Sequence, residues 1–460
     1  MVACCRMTQT GNNTKANNNL SLPLEAKPQR ERDAGAPLCG RRSDATPATA
    51  CRQAPGREVP RERERASDAI LAAVAARESQ GVTESGRDKG PAPVVEAVTD
   101  RRALRRFIDL PRRLYADDPA FVMPLAVEQR QRFSPKNPYL GHARYRAWLA
   151  RAGGEPVGRI TAQVDSLERE AGLGYFGMLE ADAPATLAAL LATAEAWLRE
   201  AGCSRVRGPL NLHINEEVGL LVDGFGTPPF VLMGHGRPWY DGAIGAAGYE
   251  GAKELLAYTT RPDFEAPAVM RRLAERAARR VAVRPLRRRA LAAEAETMRR
   301  IFNDAWARNW GFAPLDAASW GETVATLARL MPDDFIQFAE VDGDAVAFIV
   351  ALPNLNEAAR DLDGRLLPLG WLKLLWRLKV RGLGSARVPL MGVTRAYQHS
   401  RLGPTLAFMV IDAVRQALHR RGVTEVEMGW ILEDNAGMRN IIETIGGRAY
   451  KRYRVYEKAL

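Results

Sequence analysis

A short polar turn that leads into a long amphipathic segment is the first feature of this sequence that could carry chemistry. The turn, QHSRLG at residues 398–403, follows an apolar stretch, and the periodic apolar residues from Pro404 to Leu418 predict a helix. Main-chain N–H groups at a helix N-terminus, together with the helix dipole, favour a phosphate or another anion. The turn therefore predicts an anion site at the start of this helix.

Two polar segments carry side chains that could accept a proton. The segment NLHINE contains His213 and Glu216, and either could deprotonate an amine nucleophile if the segment lines a cleft. Glu433 and Asp434 follow a predicted strand and could act as the base or orient the amine. The alternatives are local hydrogen bonding in the first segment and helix capping, by Asp434 or Asn435, in the second. The sequence leaves these alternatives open.

Aromatic side chains mark two further segments. Asn309, Trp310 and Phe312 cluster at the end of a predicted helix, where they could contact a substrate or pack locally. Residues 365–384 are predicted to form an amphipathic helix with basic residues opposite its apolar face. The apolar face consists of Leu367, Trp371, Leu374, Leu375 and Leu378. Such a helix can lie in a membrane interface, and the alternative is a helix that packs into the core with a solvated basic face.

Composition limits the partners that this chain can have. A formal net charge of +12 over 460 residues favours acidic partners such as phosphates, CoA-like ligands, anionic membranes or nucleic acid. The alternative is that the charge is a general property of the source proteome. The sequence contains no apolar run of transmembrane length and no apolar region of signal-peptide type at its N-terminus, so we expect no membrane-spanning helix.

Cysteine and histidine usage argues against disulfide and metal chemistry. Four of the five cysteines lie in the polar N-terminal region, which leaves Cys203 alone in the part expected to fold. The five histidines show no metal-ligand spacing. We therefore expect a reducing, cytoplasmic environment and no bound metal.

Two stretches of similar element order follow a polar N-terminal region. Residues 1–93 are rich in Asn, Arg, Glu, Pro and Gly and are expected to be disordered. Strand, helix and hairpin patterns then fill residues 94–262, and the same order returns over 281–460 after a linker helix at 263–280. The second stretch contains a hydrophobic insertion at 361–389. The sequence thus predicts an α/β protein with a mixed (α+β) sheet in two tandem domains.

This element order, with the turn at residues 398–403 and an Asn-headed helix at residues 435–447, resembles the GNAT acyltransferase superfamily. In that family the turn reads Arg/Gln-x-x-Gly-x-Gly/Ala, and its amides bind the pyrophosphate of CoA. The resemblance implies acyl-CoA as co-substrate, with no permanently bound cofactor and no metal. The residues that it assigns to CoA are Val393, Gln398, Arg401, Leu402, Gly403 and Asn435.

Two positions depart from the family pattern. Arg401 stands where the family has the first glycine of the turn, so its side chain either clashes with a pyrophosphate or pairs with it. Ile442 stands where many members place a tyrosine that acts as general acid. Tyr450, Tyr453 or Tyr456 could take that role instead.

The first stretch resembles a GNAT unit that lacks the glycine turn. Its strand-to-helix junction carries Glu180 and Asp182. Acidic groups at that point would repel a pyrophosphate. We therefore expect the domain at 94–262 to be degenerate and not to bind CoA.

Segments such as GPLNLHINEEVG and NWGF resemble a bacterial tandem-GNAT group that includes the bacterial ceramide synthases, which N-acylate a sphingoid base with long-chain acyl-CoA. The resemblance implies an N-acyltransferase with a lipid-like amine acceptor. We expect a cytoplasmic protein that contacts the inner face of the membrane, and no specific nucleic-acid partner. The residues expected to contact the substrate are Asn309, Trp310, Phe312 and Trp371. Two alternatives stay open: an aminoacyl-tRNA-dependent transferase, and a non-catalytic lipid- or membrane-binding protein on a degenerate GNAT scaffold.

Overall fold

The computed structural model describes residues 92–460, so the tail predicted to be disordered lies outside the described residues except for its last two positions. The strands are β1 (Val94–Ala97), β2 (Ala143–Ala152), β3 (Glu155–Asp165), β4 (Leu173–Ala181), β5 (Arg205–Gly208), β6 (Leu220–Asp223), β7 (Glu250–Thr260), β8 (Val281–Pro285), β9 (Ile336–Val341), β10 (Asp344–Pro353), β11 (Ser385–Val393), β12 (Glu425–Leu432) and β13 (Arg448–Ala459). The helices are α1 (Arg101–Leu114), α2 (Ala126–Arg132), α3 (Pro184–Glu200), α4 (Tyr240–Ala246), α5 (Ala268–Ala277), α6 (Leu291–Ala305), α7 (Ala317–Leu330), α8 (Leu355–Ala359), α9 (Gly370–Trp376), α10 (Arg395–Gln398), α11 (Gly403–Arg420) and α12 (Ala436–Thr444).

The strands form a continuous mixed sheet in which the last strand of each half pairs with the other half. The order is β1-β2-β3-β4-β5-β13-β7-β12-β11-β10-β9-β8, and β6 pairs with β13 beside this path. β7, the last strand of the first half, pairs antiparallel with β12, while β13 lies between β5 and β7. The predicted mixed α/β sheet is confirmed. The domain limits at 94–262, 263–280 and 281–460 stay a prediction, because the halves share this sheet.

Helices cover the sheet and bury separate apolar clusters in the two halves. In the first half α3 packs on β3 and β4, and in the second half α11 packs on β8 to β11. Leu187 and Leu190 of α3 and Leu406 and Val410 of α11 are completely buried in these clusters. Their helical spacing places them on one face, which is why both helices are held against the sheet.

The hairpins and main helices form where the sequence predicts them. β2 and β3 turn at Gly153 and Gly154, whose φ angles are 58° and 85°, and β9 and β10 turn through Gly343 at 94°. α3 begins at Pro184 and stops before Gly202, where φ is 89°. Glycine adopts this left-handed conformation without the steric cost that a Cβ would add, so these turns are fixed by sequence.

The insertion does not form the single amphipathic helix that the sequence predicts. α9 covers Gly370–Trp376 and continues as a π-helical turn over Arg377–Arg381. Leu374 packs inward, whereas Trp371, expected on the same face, is 45% exposed. The helix is therefore shorter than predicted, and it buries only part of the predicted apolar face.

The outer surface of this insertion is apolar. Lys373 and Arg377, expected on a solvated basic face, both form ion pairs with Asp361. The exposed apolar residues, called the insertion patch below, are Leu367, Leu369, Trp371, Leu372, Leu375, Trp376 and Val380. Across residues 92–460, no helix has both the length and the apolarity that crossing a bilayer requires.

Candidate functional site

β11 and β12 run side by side for part of their length and then separate. Their parallel pairing joins Ser385–Val388 to Glu425–Met428 and then stops, although β11 continues to Val393 and β12 to Leu432. The next residue of β11 is Pro389, which has no N–H and cannot continue the hydrogen-bond ladder. The strand ends diverge, and a cavity of about 840 Å³ opens there.

A buried ion pair fixes the point at which these strands diverge. Nε of Arg387 lies 3.0 Å from Oε1 of Glu427, and both side chains are almost fully buried. Tyr450 donates to the same carboxylate, and Arg387 donates to the main-chain oxygens of Val231 at 2.7 Å and Gly429 at 2.8 Å. Burial raises the pKa of the Glu427 carboxyl. Arg387 thereby holds Gly429 at the point where β11 and β12 diverge. Removing either partner of the ion pair would leave the other charge buried and unpaired.

Tryptophan side chains from β12 and from the segment after α6 line the mouth of the cavity: Trp430, Trp306 and Trp310. The indole N–H of Trp306 donates to the main-chain oxygen of Met391 at 3.1 Å, and its ring meets that of Trp430 at 6.3 Å between centroids. The guanidinium of Arg207, from the first half, lies 5.0 Å from the ring centre of Trp310. Both halves therefore shape the mouth.

The turn predicted to hold a phosphate closes one end of the cavity. The side-chain amide of Gln398 donates to the main-chain oxygens of Val393 at 2.9 Å and Ala305 at 3.0 Å, which ties the turn to β11 and α6. A Cβ on Gly403 would lie 2.4 Å from the main-chain oxygen of Tyr397, so this position requires glycine. Within the described chain, α11 begins without a side-chain cap. The N–H of Gly403 donates to the main-chain oxygen of Ser400 at 3.2 Å and Pro404 has no N–H, so an anion here would depend on the helix dipole and on Thr405.

The structure brings about half of the predicted site residues to this cavity. Those that line it are Asn309, Trp310, Val393, Gln398, Gly403, Asp434 and Asn435. Those that the described part of the chain places outside the lining are His213, Glu216, Phe312, Trp371, Arg401, Leu402 and Glu433. The roles assigned to these residues from the sequence stay predictions.

Asp434 and Asn435 stand at the mouth with different partners. Oδ1 of Asn435 accepts the N–H of Met438 at 3.1 Å and caps α12. The carboxylate of Asp434 accepts from Nζ of Lys253 at 2.6 Å, and Glu433 lies 3.6 Å from the same ammonium group. Asn435 therefore supplies the helix cap, and Asp434 presents a carboxylate to the cavity.

His213 and Glu216 have partners of their own in the first half. Nδ1 of His213 accepts the N–H of Asn215 at 3.1 Å, and its ring packs 5.2 Å from that of Tyr139. Burial lowers the pKa of His213 to about 4, so its imidazole is neutral at pH 7. Glu216 lies 3.1 Å from the buried guanidinium of Arg132. These contacts support the local-bonding alternative for this segment.

The loop Asn309–Phe312 joins the two halves beside the cavity. Gly311 has a φ of 64°, and a Cβ there would lie 2.6 Å from Cδ1 of Ile214. The guanidinium of Arg169 lies 5.8 Å from the ring centre of Phe312. The loop is thus pinned against the first half, which directs Asn309 and Trp310 toward the cavity.

An aliphatic wall behind the mouth is the part of the site that sequence reasoning missed. It is formed by Ala407, Ile411, Val414, Leu418, Ile442 and Ile445, each at most 6% exposed. These residue types also build ordinary cores, so they carry no signal of their own. The signal that could have been used is Pro389 and Gly429, which interrupt two strand patterns at the same level of the sheet.

The first half repeats the strand pair but fills the gap with its own chain. β4 and β5 pair in parallel before they separate. The N–H of Leu210 donates to the main-chain oxygen of Phe176 at 2.8 Å, and Oδ1 of Asn211 accepts the N–H of Met178 at 2.6 Å. A Cβ on Gly177 would lie 2.0 Å from the oxygen of Leu210. The segment after β5 therefore occupies the space that stays open between β11 and β12.

Comparison with known proteins places this fold and site in a family. A scan against protein-family models gives no match. A solved fungal structure, the GCN5-related glucosamine N-acetyltransferase region of a multi-domain GH3 beta-N-acetylglucosaminidase, has a TM-score of 0.50 at 14% identity, over 82% of this chain and 40% of that one.

Two bacterial proteins are much more similar in sequence. Protein YghO of Escherichia coli (strain K12) is 46% identical over 372 residues, which are 80% of this chain and 95% of the relative. The bacterial ceramide synthase of Caulobacter vibrioides (strain NA1000 / CB15N) is 45% identical over 364 residues, 78% of this chain and 95% of the relative. The chain belongs to the same family as these two proteins, and it has the fold of GNAT acyltransferases. The comparisons confirm the resemblance to GNAT proteins that the sequence indicated. GNAT enzymes use acyl-CoA and an amine acceptor.

Proposed function

We propose that this GNAT protein moves an acyl group from acyl-CoA to the amine of a lipid-like acceptor, a sphingoid base, where β11 and β12 diverge. The observation that carries the proposal is the cavity itself, which joins an anion-binding turn, a polar and aromatic mouth and an aliphatic interior. Identity of 45% with a bacterial ceramide synthase supports the acceptor class.

In this proposal the turn and the free edge of β11 hold CoA. The pyrophosphate binds at residues 398–403, where the N-terminus of α11 favours an anion. Exposed Arg401 adds positive charge on the same turn. The pantetheine arm lies along β11 between Val388 and Val393, where main-chain groups no longer pair with β12. This arrangement brings the thioester to the point where β11 and β12 diverge, beside Gly429.

The mouth supplies the groups that handle the acceptor amine. Asp434, the one predicted base that lines the cavity in residues 92–460, removes a proton from the ammonium group. The amine nitrogen then attacks the thioester carbonyl carbon, the new C–N bond forms, and the C–S bond breaks. CoA leaves as a thiolate and takes up the second proton, which the nitrogen loses as it becomes an amide. Asp434 releases the first proton to solvent. Asn309 and Trp310 border the position of the acceptor.

An activity screen tests this function. Purified protein is given acetyl-CoA to palmitoyl-CoA with long-chain amino bases, and CoA release and amide product are measured. We expect turnover, and we expect Asp434→Asn to lower kcat by about 100-fold because it removes the base. The matched control is Glu433→Gln, which neutralises the neighbouring carboxylate outside the cavity lining.

The outcomes of this screen separate the alternatives. No turnover and no acyl-CoA binding with any pair would refute the proposal. Activity that ribonuclease abolishes would instead identify an aminoacyl-tRNA-dependent transferase. Liposome binding without CoA binding would identify a non-catalytic membrane protein.

The insertion patch supports peripheral contact with the inner face of the cytoplasmic membrane. Its leucines and tryptophans are exposed in residues 367–380, and Lys379 and Arg381 lie beside them. Apolar side chains with flanking cations are suited to the interface of an anionic bilayer. Contact at this surface brings the site to a membrane-resident acceptor.

A further inference from the structure

Behind the mouth, the cavity continues as an aliphatic channel along α11. Its lining reaches from Gly403 at the start of this helix to Leu418 near its end. At the rise of an α-helix this distance is about 22 Å. The channel is therefore much longer than an acetyl group requires.

The walls of the channel are mainly apolar over this length. Ala407, Ile411 and Val414 face it from α11, while Ile442 and Ile445 face it from α12. Open space lined by aliphatic side chains weakens a core, because the lining atoms lose packing partners there. Space of this kind and size is characteristic of a site for an apolar ligand.

Arg415 also lines the channel, near the end of α11. The guanidinium of Arg415 donates to the main-chain oxygen of Pro262 at 3.1 Å, pairs with Asp412 at 2.8 Å and lies 5.1 Å from the ring centre of Phe264. This contact fixes the guanidinium beside the end of α11.

We propose that this channel holds the hydrocarbon chain of the acyl donor, and that Val414 and Leu418 set its length. The inference rests on the proposed function. The acyl donor is the expected occupant because the channel follows α11, and the first turn of this helix is the proposed pyrophosphate site. The channel also opens into the cavity where the proposed function places the thioester. The acceptor approaches from the opposite side, through the mouth that Trp310 and Arg207 form between the halves.

Val414→Phe tests the assignment by blocking the far part of the channel. The readout is the ratio of kcat/KM for palmitoyl-CoA to kcat/KM for hexanoyl-CoA. We expect the ratio to fall at least about tenfold, because apolar pockets discriminate strongly on added volume. The matched control is Val410→Phe: Val410 is on the same helix and equally buried, but lies outside the channel lining of the described residues. Its ratio should stay that of the wild type.

A second variant lengthens the channel instead of blocking it, and it adds no bulky side chain to the core. Leu418→Ala lengthens the channel, and we expect it to raise the ratio of kcat/KM for stearoyl-CoA to that for palmitoyl-CoA. Transfer with unchanged donor ratios in both folded variants would overturn the inference. A change in preference for the length of the acceptor tail, instead of the donor, would also overturn it.

Binding separates failure of the channel from failure of the proposed function. If the wild type transfers no acyl group, thermal shift with palmitoyl-CoA and with CoA still examines the channel. Extra stabilisation by palmitoyl-CoA that disappears in Val414→Phe supports the channel. Equal stabilisation of the wild type by both ligands overturns it.

Discussion

The two halves of this protein contain the same pair of diverging strands, and they differ in what occupies the gap. Between β11 and β12 the gap is a cavity of about 840 Å³. Between β4 and β5 the chain itself fills it, through main-chain and side-chain hydrogen bonds of Leu210 and Asn211. The shared backbone frame is therefore not sufficient for a site. The site depends on leaving the gap empty.

The two halves also differ in charge at the junction between the strand and the main helix. In the first half the carboxylate of Glu180 is buried 3.6 Å from Arg159 and accepts from Tyr115 and Tyr240. Burial raises the pKa of Glu180. In the second half the corresponding strand-to-helix junction is the turn tied down by Gln398, with Arg401 exposed. An acidic, filled junction in one half and an open, basic junction in the other predict that CoA binds once.

The largest expected effect comes from placing an acid at the open junction. Gly403→Glu adds a Cβ 2.4 Å from the main-chain oxygen of Tyr397 and a negative charge at the pyrophosphate site. Because placing like charges together costs several kcal/mol, we expect acyl-CoA binding to weaken by about 1000-fold, measured by calorimetry. Ala185→Glu, in the exposed first turn of α3, is the matched change in the first half and should leave binding unaltered.

Arg401→Glu separates charge from backbone disturbance in that experiment. Arg401 is exposed, so the substitution reverses a charge without repacking the turn. We expect weaker binding at low salt, and we expect the difference from the wild type to shrink as added salt screens the charge. Equal affinity of Gly403→Glu and the wild type would show that CoA does not use this turn.

An intermediate effect is expected from the insertion patch, which lies in the β10–β11 connection of the second half. The corresponding β3–β4 connection of the first half is much shorter. Trp376→Glu removes apolar area from the insertion patch and adds a negative charge. We expect about tenfold weaker binding to anionic liposomes in flotation assays. Leu167→Glu is the control, because Leu167 is an exposed residue of the β3–β4 connection in the first half. Equal loss in both variants would contradict a membrane role for the patch.

The smallest effect on catalysis is expected from opening the filled gap. Asn211→Ala removes the acceptor for Met178 N–H and the partner of Glu217, which should lower the free energy of unfolding by about 1–3 kcal/mol in urea titrations. Its kcat/KM should stay close to that of the wild type. Asn435→Ala, the capping residue at the open site, should lower activity as well as stability. A large catalytic loss in Asn211→Ala would mean that the halves do not divide these roles.

Local signals made much of the fold predictable. The glycines at 153–154 and 343 fixed both hairpins, and Pro184 fixed the start of α3. The turn at 398–403 precedes a helix as predicted, but the short helix α10 separates it from β11. Its chemistry was only partly predictable, because the side chain of Gln398 bonds to main-chain oxygens of its own fold.

Features that depend on distant partners were not predictable from local pattern. An apolar alternation shows that β7 and β13 are strands, but it does not show that each pairs across the halves. The aliphatic wall was hidden for the same reason, since Ile411 and Val414 have the residue types of any buried helix face. The ion pairs of Lys373 and Arg377 depend on Asp361, which lies outside the helical periodicity that was used.

The position of β13 between β5 and β7 governs the order in which this protein can fold as it leaves the ribosome. Residues 94–262 emerge early, yet their two central strands lack the strand that separates them until residues 448–459 have been made. Exposed strand edges attract wrong partners during such a delay. The first half therefore cannot complete its part of the sheet before the last strand has been made, and the facing edges of β5 and β7 stay unpaired until then.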